Sequence, residues 1–401
     1  MTAPITTVGR LECQGCAACA AVCPRNCIAM RYDHEGFLYP EVDENECIAC
    51  GKCAGACPVL APIMPNPKGE YHAVQLSDAV ALERSASGGV FYGLAQQTIE
   101  DGGVAVGCIL NDEIVPVHSI AENTEELVAM QGSKYVQSYV PRETYEQIRA
   151  FLYTGREVLF CGTPCQVAAL RNYLGGCTDG LTTIDLICHG VAGPGLWQSY
   201  IGEVERKSNG KVVGAEFRSK KVAPHPNNHS MIFIVQRADE KDGRSERLGN
   251  RALDDPYGAS FYHNRILREC CYRCPYARQE RMADITIGDY GENDITPPTN
   301  GGLSFVAINT MRGFELLERA NCRFWIADIP SGYSQVNLQQ PTLRPSSRDK
   351  LSEMQFDAEN PRASTDYRLH ITTSDRLKAL LPTGLKNNAK VLIHNFKARK
   401  R

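Results

Sequence analysis

The chain has 401 residues, of which 43% are hydrophobic and 22% charged, with a formal net charge of −3 and 18 cysteines. That length suits two or three domains with a sizeable core. The charge balance shows no basic stripe before the extreme C-terminus, so no nucleic-acid partner is expected. No stretch approaches the ~20 apolar residues of a membrane span. Many thiols without an export-type N-terminus point to a reducing, cytoplasmic setting.

The first segment carries Cys13, Cys16, Cys19 and Cys23 followed by Pro24, then Cys47, Cys50, Cys53 and Cys57 followed by Pro58. Both runs read C-x2-C-x2-C-x3-C-P, the spacing that holds a 4Fe–4S cubane. Three closely spaced thiolates on one loop can grip three irons. The fourth cysteine opens a short helix leading away and so ligates the other cluster. The expected sets are Cys13, Cys16, Cys19 and Cys57 for one cluster, and Cys47, Cys50, Cys53 and Cys23 for the other. Zinc prefers paired C-x2-C spacings to runs of four. Gly15 and Gly51 lie inside the loops, where backbone must approach a cluster. Cys27 falls outside the pattern and has no assigned role. Residues 1–62 thus resemble a bacterial-type two-cluster ferredoxin, and single-electron transfer is the chemistry implied.

Residues 61–72 hold three prolines and one glycine and suggest a linker, taken as 63–72. From Ala73 helices and strands alternate. Ser85-Ala86-Ser87-Gly88-Gly89 leads into a helix whose apolar face carries Val90, Phe91, Leu94, Ala95 and Ile99. Strands are expected at Val104–Leu110, Glu157–Cys161 and Leu181–Cys188, then at Val212–Phe217, Met231–Gln236, Ile285–Gly288 and Phe305–Asn309. Helices are expected at Cys165–Leu174, around Trp197 and Tyr200, at Tyr257–Glu269 and at Arg312–Ala320. The fold class is therefore α+β (mixed α/β): a small ferredoxin domain, then a larger α/β domain over 73–330. Residues 331–401 form a polar C-terminal extension ending in a basic tail at Lys397–Arg401.

A second group of cysteines gathers in motifs. Cys165 follows Gly162-Thr163-Pro164 at a helix N-terminus, where dipole and free N–H groups favour a thiolate. Cys188 ends a strand before His189-Gly190, and Cys271 and Cys274 form a C-x2-C. Four thiolates on three loops suit a third cubane cluster. Buried structural thiols and a redox pair are the alternatives on spacing alone.

The segments Gly162-Thr163-Pro164-Cys165-Gln166, Asp185-Leu186-Ile187-Cys188-His189-Gly190, Cys271-Tyr272-Arg273-Cys274 and Ala283-Asp284-Ile285-Thr286-Ile287-Gly288-Asp289 occur in this order. With the Ser85–Gly89 turn and Gln131-Gly132-Ser133-Lys134, they resemble the coenzyme F420 hydrogenase/dehydrogenase beta-subunit family over about residues 73–345. The resemblance implies a flavin-binding α/β domain of that type, a non-covalent FAD that trades hydride with F420 or another soluble substrate, and a cubane cluster beside the FAD. Carried over, that cluster's ligands are Cys165, Cys188, Cys271 and Cys274, with Cys161 and Cys270 as the neighbouring substitutes.

A flavin would convert hydride chemistry into the single electrons that clusters carry. No G-x-G-x-x-G fingerprint supports a Rossmann-type site. Ser87, Gly88 and Gly89 at a helix start offer backbone N–H groups to a pyrophosphate, or simply an N-cap. Gln131, Ser133 and Lys134 form a polar loop, with Lys134 a candidate positive charge beside the flavin ring. Asp289 is a candidate for a ribose or flavin edge, and Arg281 for phosphate or carboxylate. His189 is a candidate proton relay, or a structural histidine. His225 and His229 are treated as loop residues. The chain is thus expected to be an oxidoreductase joining its ferredoxin clusters to FAD, with a redox partner protein. The alternative is an electron-relay subunit with no substrate site of its own.

Overall fold

The structure, a computed structural model, describes residues 3–219, 230–237, 245–290, 302–326, 335–353, 356–364 and 369. His225, His229 and the Lys397–Arg401 tail lie outside the described residues.

The N-terminal unit is a pseudo-repeat. Helices α1 (Ala18–Ala21) and α2 (Lys52–Ala56) each follow a cysteine loop, and strands β1 (Ile28–Tyr32) and β2 (Leu38–Val42) pair antiparallel between them. The two loops share a backbone trace. Gly15 (φ 65°) and Ala17 (φ 64°) match Ala49 (φ 51°) and Gly51 (φ 74°) in the left-handed region. Successive turns of this kind aim N–H groups inward and form concavities suited to anionic iron–sulfur groups.

The large domain is a three-layer α/β structure. In chain order it runs β3 (Glu70–Leu76), α3 (Ala79–Arg84), α4 (Val90–Glu100), β4 (Val104–Leu110) and β5 (Pro116–Ala121). It continues with α5 (Leu127–Met130), α6 (Arg142–Tyr153), β6 (Val158–Gly162), α7 (Pro164–Leu174), β7 (Leu181–Leu186) and α8 (Pro194–Ser208). Strands β8 (Gly210–Ser219), β9 (Ser230–Arg237) and β10 (Ser245–Arg251) form a separate antiparallel sheet, followed by α9 (Pro256–Tyr262). The chain then returns through β11 (Ile285–Asp289), β12 (Ser304–Ile308), α10 (Met311–Arg319) and β13 (Cys322–Ile326). The main sheet has the order β13-β3-β12-β11-β7-β6-β4-β5. Its centre, β11-β7-β6-β4, is parallel, and antiparallel strands flank it on both sides.

Burial on both faces explains why β4 and β6 are almost wholly apolar. Val104, Val106, Val158 and Phe160 meet α6 and α7 on one face, while Ala105, Leu159 and Ile184 meet α4 and α10 on the other. Local signals set the ends. Thr163 and Gln166 close a capping box at α7, and Gly175 ends that helix in the left-handed region.

Three expectations are corrected. The expected linker 63–72 overlaps β3, which already takes in Glu70 to His72, and Asn66 N within it donates to Arg281 O (2.8 Å). The helix expected to reach Glu269 stops at Tyr262, because Asn264 adopts φ 61°. Strand β7 ends at Leu186, which leaves Cys188 in the loop beyond it.

The ferredoxin unit is seated on the large domain. Ala18, Ala21 and Ala56 share one apolar core with α6 and α7. Tyr145 Oη donates to Cys16 O (2.9 Å), Gln137 Nε2 to Gln14 O (2.8 Å) and Asn172 Nδ2 to Ala61 O (2.7 Å). Arg142 donates to the carbonyls of Ala20 and Cys23.

Candidate redox centres

Two cavities in the ferredoxin unit divide its cysteines. Cys13, Cys16, Cys19 and Cys57 rim one of about 340 Å³, mouth included, walled by Ile5, Val8 and Val59. Cys23, Cys47, Cys50 and Cys53 rim the other, of about 330 Å³. The fourth cysteine of each run thus faces the other run's loop. Among the described residues no three His, Cys, Asp or Glu side chains close on a point fit for a single metal ion. Thiols spread around an apolar cavity suit a polynuclear sulfide cluster instead. Cys27 also lines the second cavity, with its Sγ 3.4 Å from Cys23 Sγ.

The second cysteine group converges in space. Cys165 sits in the first turn of α7, Cys188 just past β7, and Cys270, Cys271 and Cys274 on the 3-10 turn Glu269–Arg273 and the residue after it. Cys188, Cys274 and Cys270 all act electrostatically on Cys165, and Cys188 and Cys274 act on Cys271. Cys270 therefore joins the group. Cys161 stands apart, beside Cys108, Asp185 and Lys134. The helix terminus does not leave Cys165 a thiolate in the bare protein. Burial pushes its thiol up, against the hydrogen bond from Thr163 (Oγ1–Sγ 3.1 Å). Burial likewise lifts Cys274 to about 12 and raises Cys188. Such crowded, protonated thiols become favourable once a metal displaces their protons. The group adjoins the ferredoxin unit, because Cys165 also acts on Cys16.

The remaining candidates lie along the carboxyl ends of the parallel strands, where open α/β sheets bind ligands. Gln131 Nε2 donates to Ser85 Oγ (3.0 Å), which joins the polar loop to the turn before α4. The buried Oε1 of Gln131 has no hydrogen-bond partner among the described residues. Within that turn, Gly88 N donates to Ser304 Oγ (3.0 Å), and a Cβ on Gly88 would stand 2.4 Å from Val74 O. Close packing of the turn on β3 and β12 thus requires glycine there. Ser87 Oγ donates to Leu303 O (2.6 Å), and Gly89 has φ 76°. Ser133 lies beside the Tyr135 hydroxyl, which accepts from Tyr262 Oη (3.2 Å). Lys134 Nζ donates to the carbonyls of Ala129, Met130 and Gln131 (3.1, 3.1 and 2.9 Å). Burial lowers its pKa, opposed by Cys108 and Cys161.

Three candidates have internal partners. Arg281 is buried, with its guanidinium on Asp185 Oδ1 (3.1 Å) and on the carbonyls of Leu186, Tyr276 and Arg278. Both oxygens of Asp289 receive Arg218 Nη1 at 2.6 Å. His189 Nε2 lies 2.7 Å from Asn264 Oδ1, its ring edge-on to Phe261 and its backbone one residue from Cys188.

Comparison with known proteins assigns both halves. Residues 12–61 match the 4Fe–4S dicluster domain. Residues 155–329 match the coenzyme F420 hydrogenase/dehydrogenase beta subunit, C terminus. Residues 155–329 thus carry the C-terminal domain of this beta-subunit family. The matched span of the beta-subunit domain runs from β6 to β13 and contains the whole second cysteine group. No curated protein matches the chain. Among solved structures, a chain of the F420-reducing NiFe hydrogenase complex from Methanosarcina barkeri is similar at 17% identity and a TM-score of 0.45, covering 73% of this chain and 92% of that one.

Several residues of the seam between the dicluster and beta-subunit domains carry no sequence signal. Arg142 and Tyr145 look like ordinary members of an amphipathic helix, yet they hold the cysteine loops. Arg268 looks like one more arginine, marked only by its nearness to Cys270. Cys108 pairs with His118 across β4 and β5, far in sequence from the cysteine motifs.

Proposed function

We propose that this chain is a cytoplasmic iron–sulfur flavoprotein oxidoreductase that exchanges hydride with coenzyme F420 or another soluble substrate and electrons with a redox partner protein. Bound 4Fe–4S clusters supply one-electron steps, and bound FAD supplies the exchange between electron pairs and single electrons. The dicluster and beta-subunit matches support the oxidoreductase class. The observation that carries the fuller reading is the convergence of Cys165, Cys188, Cys274 and the Cys270–Cys271 pair beside Cys16.

In this reading Cys13, Cys16, Cys19 and Cys57 hold one ferredoxin cluster and Cys23, Cys47, Cys50 and Cys53 the other. The second group holds a third, next to the first. Exposed Cys50 and Ile48 at the second cavity offer the partner's approach. Ser87, Gly88, Gly89, Gln131, Ser133 and Lys134 hold FAD along the carboxyl edge. The orphaned Gln131 Oε1 supplies an acceptor for a ring N–H, and the Lys134 ammonium a fixed positive charge. His189 beside Cys188 is the proton-handling candidate. Arg281 and Asp289 act through their pairs with Asp185 and Arg218, as supports of the site.

The test is anaerobic purification with iron, sulfide and flavin counted per chain. About twelve irons and one FAD are expected from three cubane clusters. About eight irons without flavin would leave an electron-relay protein.

A further inference from the structure

Among the described residues three arginines are fully buried: Arg268, Arg281 and Arg348. Two are neutralised in the ordinary way, Arg281 by Asp185 and Arg348 by Glu35. Arg268 has no carboxylate partner among the described residues. Its Nε donates to Cys13 O (2.7 Å), its Nη1 to Gln137 Oε1 (2.9 Å) and its Nη2 to Leu38 O (3.0 Å). The same Nη2 lies 3.6 Å from Cys13 Sγ. The Tyr39 ring stacks 4.0 Å from the guanidinium carbon. A guanidinium cannot shed its proton to escape burial, so its charge needs an anion nearby. The ionisable groups that act on it include Tyr39, Cys13, Cys270 and Cys271. Arg268 therefore stands between the first ferredoxin thiol set and the second cysteine group.

We infer that Arg268 is the built-in counter-charge of the Cys13 cluster and raises that cluster's reduction potential. The inference rests on the cluster reading above. Reduction adds one electron, and so one negative charge, to a cluster whose ligand sulfur already touches the guanidinium. A fixed positive charge in a dry site favours the reduced state. The position is enforced: a Cβ on Gly15 would lie 2.8 Å from Arg268 Nη1 and 2.6 Å from Gln137 Nε2, so the cysteine loop is shaped around this contact. At the equivalent position the other loop carries Ala49 (φ 51°), which already has a Cβ there. The pseudo-repeat is thus asymmetric at this point, and Arg268 distinguishes the two clusters.

The experiment is a dithionite titration followed by electron paramagnetic resonance on the full chain, with iron counted first. Arg268→Gln removes the charge. Gln137→Glu leaves the arginine in place and sets a carboxylate against it, which covers the case in which Arg268→Gln does not fold. In each, iron stays at the wild-type count. One cluster's equilibrium constant for reduction falls at least tenfold, about 59 mV for one electron, and the other holds. Arg268→Lys keeps the wild-type midpoint to well within that shift. Variants with full iron and unmoved midpoints overturn the inference. A wild-type chain without ferredoxin iron sinks the cluster reading itself, and the inference with it.

Discussion

Arg348 grips Glu35 with both arms, Nη1 to Oε1 at 3.1 Å and Nη2 to Oε2 at 2.7 Å, and neither side chain is open to solvent. The pair links two segments 313 residues apart. It ties the C-terminal segment to the turn between β1 and β2 of the ferredoxin unit, while Arg348 Nε holds Leu267 O (2.9 Å).

Removing one partner leaves a buried charge, so Arg348→Met is expected to cost about 3–5 kcal/mol, and Arg348→Met with Glu35→Met much less. Urea unfolding of the single and double variants checks this. The pH dependence follows in sign. Burial raises the Glu35 pKa, but Arg348 outweighs it and holds the carboxyl below its ordinary 4.5. That stability is full above pH 4.5 and lost as pH falls through the lowered folded value. The single variant should lose this acid dependence.

The cavities predict which cysteine substitutions resemble one another. Cys57→Ser should abolish the same paramagnetic signal as Cys13→Ser, and Cys23→Ser the same as Cys47→Ser. Each should lower iron by about four per chain. Cys188→Ala should remove about four more irons if the second group holds a cluster, whereas Cys161→Ala should not. Iron loss in Cys161→Ala with none in Cys188→Ala would reverse the assignment.

His118 gives a separate pH signature. It is buried, stacked on Phe160, with Nε2 3.0 Å from Cys161 O. Burial, with a smaller push from Lys134, lowers its pKa from 6.5 to about 4. The unfolded chain then binds a proton that the folded one refuses. Stability falls as pH drops from 6.5 to about 4, by on the order of 3 kcal/mol at most. Against His118→Gln, the wild type should lose relative stability across that window and hold it constant above. Denaturant midpoints from pH 7.5 to 4.5 measure the difference, and parallel curves would disprove it.

The eight ferredoxin cysteines were legible in the sequence because a cubane cluster dictates ligand spacing along a short loop, and short loops keep spatial and sequence order together. Strands β4 and β6 were legible for a related reason: burial on both faces makes Val104–Leu110 and Val158–Gly162 near-continuous apolar runs. The edge strands β5 and β13 and the hairpin β1–β2 went unread, since half-exposed strands carry mixed residues. The second cysteine group was only half legible. Its members lie on three separate loops, so the sequence could name them but could not show that Cys270 joins them and Cys161 does not. Arg268, Arg348 and Tyr145 were legible only in three dimensions. A buried charge or hydroxyl is defined by what the fold brings against it from 81 to 313 residues away, here Leu267 and Glu35 for Arg348, Cys13 for Arg268 and Cys16 for Tyr145. Local spacing determined the cluster chemistry, and long-range packing decided how the ferredoxin unit is held and which charges face it.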